Sequence, residues 1–177
     1  GRLNHPNIVN IYDVGEEHDL AFIAMEFLPG HDLARYTKAD SLLPLPTVMG
    51  IIFKSAMALD AAHKENVVHR DIKPANIFLA ANGCVKLGDL GLGRAFSSQT
   101  YEALSTVGTP LYMAPEVLDG RGYEWKIDVW SLGCLLYELA TLRSPFKSDG
   151  ENKDNLYTLF KKISVGTFKQ LPETYSS

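Results

Sequence analysis

Cysteine is scarce in this sequence, with Cys84 and Cys134 the two among 177 residues. That is too few, at too wide a spacing, for the disulfide framework of a small secreted scaffold. Long hydrophobic runs are also missing. The most apolar stretch, residues 129–137 between Asp128 and Glu138, is about half of the ~20 residues needed to cross a bilayer and reads as a buried core helix. Neither sign of charge dominates: the formal net charge is -4, and no dense Lys/Arg stripe offsets it. Nucleic acid is therefore not expected as a partner. The opening Gly1-Arg2-Leu3-Asn4 has neither the basic start and apolar run of a signal peptide nor a transit pattern. No membrane association is expected, and the expected compartment is the cytoplasm, with the nucleus as a second option. Internal repeats and low-complexity tracts are absent. At 46% hydrophobic and 21% charged residues the composition suits one globular domain or a large piece of one.

Common metal and dinucleotide motifs are missing too. Gly91-Leu92-Gly93 is followed by Phe96 where a dinucleotide loop needs its third glycine. His63 and His69 lack the i, i+4 relation of a zinc-protease helix, and the cysteines and five histidines show no paired zinc spacing. The methionines read as core or pocket residues.

The segments that are present alternate in character. Residues 8–14 and 20–27 are rich in strand formers around a polar stretch and predict an antiparallel pair. Residues 28–33 read as a connector because Pro29 and Gly30 interrupt both periodicities. Val48, Ile51, Ile52, Ala56, Leu59 and Ala62 recur at helical spacing and predict a long amphipathic helix over 47–66, with Thr47 as its N-cap. Short apolar runs over 67–85, broken by His69-Arg70-Asp71 and Asn82-Gly83, predict small hairpins and loops. Helical patterning returns from Ile127, and another helix is expected over 155–165 after a polar loop.

The chemistry concentrates between positions 69 and 133. His69-Arg70-Asp71-Ile72-Lys73-Pro74-Ala75-Asn76 puts an acid, a lysine and an amide into one short loop after a helix. Phosphoryl transfer uses that set: a carboxylate to accept a hydroxyl proton, a cation for the phosphoryl group and an amide oxygen for Mg²⁺. Asp89-Leu90-Gly91 follows thirteen residues after Asn76, at the end of an apolar run, and supplies a second oxygen ligand of the kind Mg²⁺ prefers. A lone His-Arg-Asp or Asp-Leu-Gly is usually an ordinary polar turn. Here Gly108-Thr109-Pro110, Ala114-Pro115-Glu116 and Asp128-Val129-Trp130-Ser131-Leu132-Gly133 follow in order, and the ordered set makes coincidence negligible.

This ordered set resembles the signature of the eukaryotic-type serine/threonine protein kinases. Within them, Leu87-Gly88-Asp89-Leu90-Gly91-Leu92-Gly93-Arg94, Ser144-Pro145-Phe146 and Asn155-Leu156-Tyr157 look like the NIMA-related (Nek) kinases. The resemblance implies an α+β, protein-kinase-like fold, mostly the helical C-lobe with a two-stranded remnant of the N-lobe. Residues 1–25 would be the partial N-lobe, 26–30 the hinge, and 31–177 a C-lobe truncated before its last helices. It also implies ATP and Mg²⁺ as cofactors and protein substrates as partners. By the same resemblance Asp71 is the catalytic base, Lys73 contacts phosphate, Asn76 and Asp89 hold Mg²⁺, and Thr109 braces Asp71 and Lys73. Met25 corresponds to the gatekeeper and Glu26 to Leu28 to the adenine-facing hinge. Asp32 is the ribose-side acid and Phe78 the adenine floor. His69 and Leu90 belong to a hydrophobic spine anchored by Asp128, though simple core packing would explain them as well. Arg70 and Arg94 would converge on a phosphorylated loop residue, Ser105, with Thr106 its neighbouring competitor.

No glycine-rich loop or strand lysine precedes Leu3-Asn4-His5-Pro6-Asn7 in this sequence. Two readings therefore stand: a piece of an active Mg²⁺/ATP-dependent kinase, inactive by itself, or a catalytically dead interaction module.

Overall fold

The structure, a computed structural model, describes residues 3–18, 20–38, 40–80, 82–90, 110–118, 120, 124–148 and 155–175. Two strands, β1 (Ile11–Glu17) and β2 (Leu20–Met25), pair antiparallel with Gly15 opposite Phe22 and a register shift between Ile11 and Asp13. Both strands are largely exposed, Val14 at 65% and Leu20 at 72% among them. The expected strand start at Ile8 is corrected. Ile8 and Val9 are buried against a different sheet, with Val9 N–H donating to the Leu87 carbonyl at 2.9 Å and Leu87 N–H to that of Asn7 at 2.8 Å.

That second sheet has the order β3-β4-β5, all antiparallel, from Gly30–Asp32, Ile77–Ala80 and Val85–Leu87. The sequence pattern assigned residues 28–33 to a connector, yet three of them form β3. Gly30 permits it, because a Cβ there would sit 2.4 Å from the Leu79 carbonyl oxygen across the pair. Asp32 then ends the strand and caps a short 3-10 helix, Leu33–Thr37, by accepting the Ala34 N–H at 3.1 Å.

The long helix α1 spans Leu45–Lys64. It begins two residues before the expected start, and Thr47 is not its cap. Pro44 is the N-cap residue and Pro46 lies in the first turn, where a missing N–H removes no helical hydrogen bond. After a short α2 (Pro115–Leu118), α3 (Lys126–Thr141) packs on α1. Ile51, Ala58 and Leu59 from α1, Leu135 and Leu139 from α3, and Leu33, Ile72, Ile77 and Leu87 form the main core. By length and composition α1 could cross a membrane, but it carries one side of this core. A smaller cluster joins Cys134, Phe146, Leu159 and Ile163, with the Trp130 and Phe146 rings stacked 5.6 Å apart. Leu159 and Ile163 belong to α4 (Leu156–Val165), which starts at an Asn155 side chain accepting the Thr158 N–H and stops at Gly166 with φ of 70°.

Candidate active site

The loop from Asn66 to Lys73, between α1 and β4, is tied down by one side chain of α3. Asp128 is 1% exposed. Its Oδ2 accepts the backbone N–H of His69 at 2.9 Å and the Nε2–H of His63 at 2.7 Å, while Oδ1 accepts the N–H of Arg70 at 2.8 Å. Burying a carboxylate is unfavourable unless its lone pairs are satisfied. Here three donors meet it, and its place in the first turn of α3 adds the favourable end of the helix dipole. Arg70 takes φ of 72°, a left-handed conformation unusual for a residue with a side chain.

His69 is fully buried and works as a strut. A carbonyl only accepts, so Nε2–H donates to the Gly88 oxygen at 2.8 Å, and Nδ1 then accepts the Asp71 N–H at 3.2 Å. Burial holds its pKa below the ordinary value, outweighing the opposing pull of the Gly88 carbonyl and of the Asp128, Asp71 and Asp89 carboxylates. A neutral imidazole thus spans from Asp71 to the residue preceding Asp89.

Around Asp71 the contacts converge on one oxygen. Lys73 Nζ donates to Asp71 Oδ2 at 2.6 Å and Asn76 Nδ2 to the same atom at 2.9 Å; Asn76 Nδ2 also donates to the Asp71 carbonyl at 2.7 Å. Asn76 is 4% exposed, whereas the Asp71 and Lys73 side chains are 40% and 38% exposed. The site is therefore rigid underneath and open above. The Asn76 carbonyl accepts the Gly88 N–H at 2.8 Å, which fastens β4 to the start of the Asp89 turn. Asp89 is exposed, with φ of 54°. Gly88 is required beside it, since a Cβ there would lie 2.8 Å from the Phe78 ring.

Phe78 pairs across β4 and β3 with Asp32, so the two are neighbours in register. Met25 ends β2 at 44% exposure, and Leu28 lies half-buried beyond Phe27. Glu26 is held from two sides. Its N–H donates to the Asn10 carbonyl at 2.9 Å, and its Oε1 accepts the Asn10 N–H at 3.0 Å and Lys86 Nζ at 2.6 Å. Burial pushes the Glu26 carboxyl up, but the Lys86 hydrogen bond and charge and the Asn10 N–H outweigh it, and its pKa lies below the ordinary value. The Glu26 side chain thus points into an ion pair with Lys86 of β5. Thr109, Arg94, Ser105 and Thr106 lie outside the described residues.

Sequence reasoning missed His63, Lys86 and Gly88 as parts of this site. His63 follows the helical face of Leu59 and Ala62 and reads as one more interfacial residue; Lys86 reads as the exposed position of an alternating strand. Only the fold reveals their partners. Beyond the Asp71 cluster, Tyr112 donates its hydroxyl to Glu138, and Ser131 Oγ donates to the Tyr112 carbonyl at 2.7 Å. Burial raises the pKa of both Tyr112 and Glu138, and it carries Cys134 up to about 12 with help from the Glu138 charge.

An acid, a lysine and a buried amide thus share one loop, with a second acid just beyond a strand, on a fold of mixed helices and strands. The protein kinase domain family matches residues 1–176, and the chain belongs to that family. It is 40% identical over 185 residues to serine/threonine-protein kinase Nek2 of Homo sapiens, covering 98% of this chain and 40% of that protein. Identity to Nek3 of Mus musculus is 39% over 177 residues, covering 99% and 34%. For Nek8 of Danio rerio it is 39% over 177 residues, covering 98% and 24%. The chain thus spans well under half the length of these relatives.

Proposed function

We propose that this protein transfers the γ-phosphate of ATP to serine or threonine hydroxyls of protein substrates, as a Nek-like kinase, with Asp71 as its base. The observation that carries this is the convergence of Lys73 and Asn76 on Asp71 Oδ2, which leaves Oδ1 to meet a hydroxyl. The acceptor oxygen attacks the γ-phosphorus, its proton passes to Asp71, the bond to the β-phosphate oxygen breaks and ADP leaves. Lys73 holds Asp71 in orientation and presents its ammonium to the phosphoryl oxygens.

The donor set fits Mg²⁺. Both donated bonds of the Asn76 amide come from Nδ2, so its Oδ1 is left for a cation, and the exposed Asp89 carboxylate is the second protein ligand. Among the described residues no three His, Cys, Asp or Glu side chains gather into a metal site, and two protein oxygens completed by phosphate oxygens suit Mg²⁺. When bound, Mg²⁺ neutralises phosphate charge; Asn76 and Asp89 would position it.

In this reading residues 1–25, with β1 and β2, are the N-lobe remnant, residues 26–30 the hinge and residues 31–177 the C-lobe. Met25 borders the adenine, Glu26 and Leu28 meet it through their main chain, Phe78 lies beneath it and Asp32 reaches the ribose. Positioning supplies most of the catalysis in phosphoryl transfer, and these 177 residues contain no glycine-rich loop or upstream strand lysine. By itself the chain should therefore turn over negligibly.

Three finer assignments belong to the same reading: Thr109 braces Asp71 and Lys73, bulky Leu92 favours serine acceptors, and phosphorylation of Ser105 activates, with Thr106 as competitor. Such a phosphate, carrying about -1.5 to -2 charges, would pair with Arg70 and Arg94. In the full-length protein with Mg²⁺ and ATP, Asp71→Asn should lower the rate of serine-peptide phosphorylation by about a hundredfold or more, and Ser105→Ala should abolish activation. Undiminished turnover by Asp71→Asn would overturn the reading. An intact full-length protein that binds no ATP would instead be an interaction module.

A further inference from the structure

A groove of about 680 Å³ opens between the N-terminal half of α1 and the β3-β4-β5 sheet, lined by none of the residues gathered around Asp71. β4 separates the two sites. The Phe78 ring lies against Gly88 on one face, and Leu79, the next residue, lines the groove on the other, as strand alternation requires. Ile51, Leu79 and Val85 make its floor apolar, while its polar lining includes His31, Tyr36 and Lys54 and, among the described residues, no carboxylate. The volume falls in the range of sites that hold ligands, about 300 to 1,000 Å³.

Three observations say what fits there. Gly50 lies in the interior of α1, where glycine is unfavourable relative to alanine, yet a Cβ at this position would meet nothing within 4 Å. No packing within the described residues explains it, and it lines the groove beside Ile51, so the missing side chain keeps the groove open. The second is the sheet edge. β3 is an outer strand, and Gly30 and His31 are exposed along the groove wall. An exposed edge offers main-chain donors and acceptors to an extended chain. The third is charge. Lys54 is steadied at the rim by its bond to the Gly83 carbonyl at 3.0 Å, and the first turn of α1 has neither an acidic residue nor a side-chain cap, so the local field favours a negative ligand.

We propose that this groove binds an extended peptide segment of a protein partner, with an aliphatic anchor over Ile51, Leu79 and Val85, acidic residues at Lys54 and His31, and main-chain pairing along β3. The assignment stands independently of the reaction at Asp71.

The test is fluorescence polarisation with a labelled peptide, Asp-Glu-Leu-Thr-Leu-Val-Asp-Glu, and a counterpart carrying lysine at each acidic position. The acidic peptide should bind at least tenfold more tightly. Gly50→Leu fills the groove and should weaken binding at least tenfold without lowering the melting temperature. The exposed-rim variant Lys54→Glu should weaken the acidic peptide and narrow its advantage over the lysine one. Equal binding of the two peptides, unchanged binding by both variants, or no binding of the acidic peptide at millimolar concentration would overturn the proposal. So would dodecanoate binding that Gly50→Leu abolishes while the peptide fails to bind, since the groove would then take small amphiphiles.

Discussion

Asp128 and His69 lie 59 positions apart in sequence, and the Asp128 carboxylate accepts the His69 backbone N–H at 2.9 Å. The same carboxylate fixes Arg70 and His63, so one α3 side chain sets the path of the Asp71 loop. Removing one partner of a buried, hydrogen-bonded charge leaves the others unsatisfied. Asp128→Ala should destabilise by about 3 kcal/mol, lowering the melting temperature by about 6 to 12 °C for a chain of this size. A thermal melt within about 2 °C of the parent would show that the three donors find other partners.

Gly88 and Phe78 form a second coupled pair. Gly88→Ala forces the ring to shift and should destabilise by about 1 to 3 kcal/mol. Added to Phe78→Ala, the same change should cost much less, because the obstructing ring is gone. A double-mutant cycle of urea denaturation measures this; additive effects would mean that the Cβ collides with backbone instead.

The Lys86 and Glu26 side chains are 14% and 17% exposed, and the Glu26 carboxyl lies below its ordinary value of 4.5. A depressed acid contributes stability that is present above the unfolded pKa and lost as pH falls through the folded one. Lys86→Met should therefore destabilise at pH 7 by about 1 to 3 kcal/mol, with the gap to the parent closing below about pH 4. Denaturation series at pH 7 and pH 3.5 distinguish this from a pH-independent packing loss.

Glu138 has the opposite sign. Its raised pKa means that ionising it disfavours the folded state, so its contribution is best at low pH and diminishes as pH rises through the unfolded and then the folded value. Tyr112 supplies the hydrogen bond that opposes the rise. Tyr112→Phe should push the Glu138 carboxyl higher still and destabilise by about 1 to 3 kcal/mol at pH 7, and by less at pH 5. Carboxyl NMR of Glu138 reads the shift directly; a titration unchanged by Tyr112→Phe would contradict the assigned bond.

Much of the polar cluster around Asp71 was legible in the sequence by itself. Asp71, Lys73 and Asn76 share one short loop, where local geometry alone brings an acid, an amine and an amide into reach, and Asp89 follows at the end of an apolar run. The spacing of Val48, Ile51, Leu59 and Ala62 likewise determined α1, because a helix buries residues at its own period. Tertiary structure decided what depends on approach between distant segments. The 28–33 connector became a strand because Gly30 admits the β4 backbone, Ile8 and Val9 went to β5 instead of continuing β1, and α1 began at Leu45 because prolines are tolerated in a first turn. His63, Lys86 and Gly88 carry no local signature of their roles. Each acquires one only when Asp128, Glu26 or Phe78 is brought against it, since hydrogen bonds, ion pairs and ring contacts act over a few ångströms of space, whatever the distance along the chain.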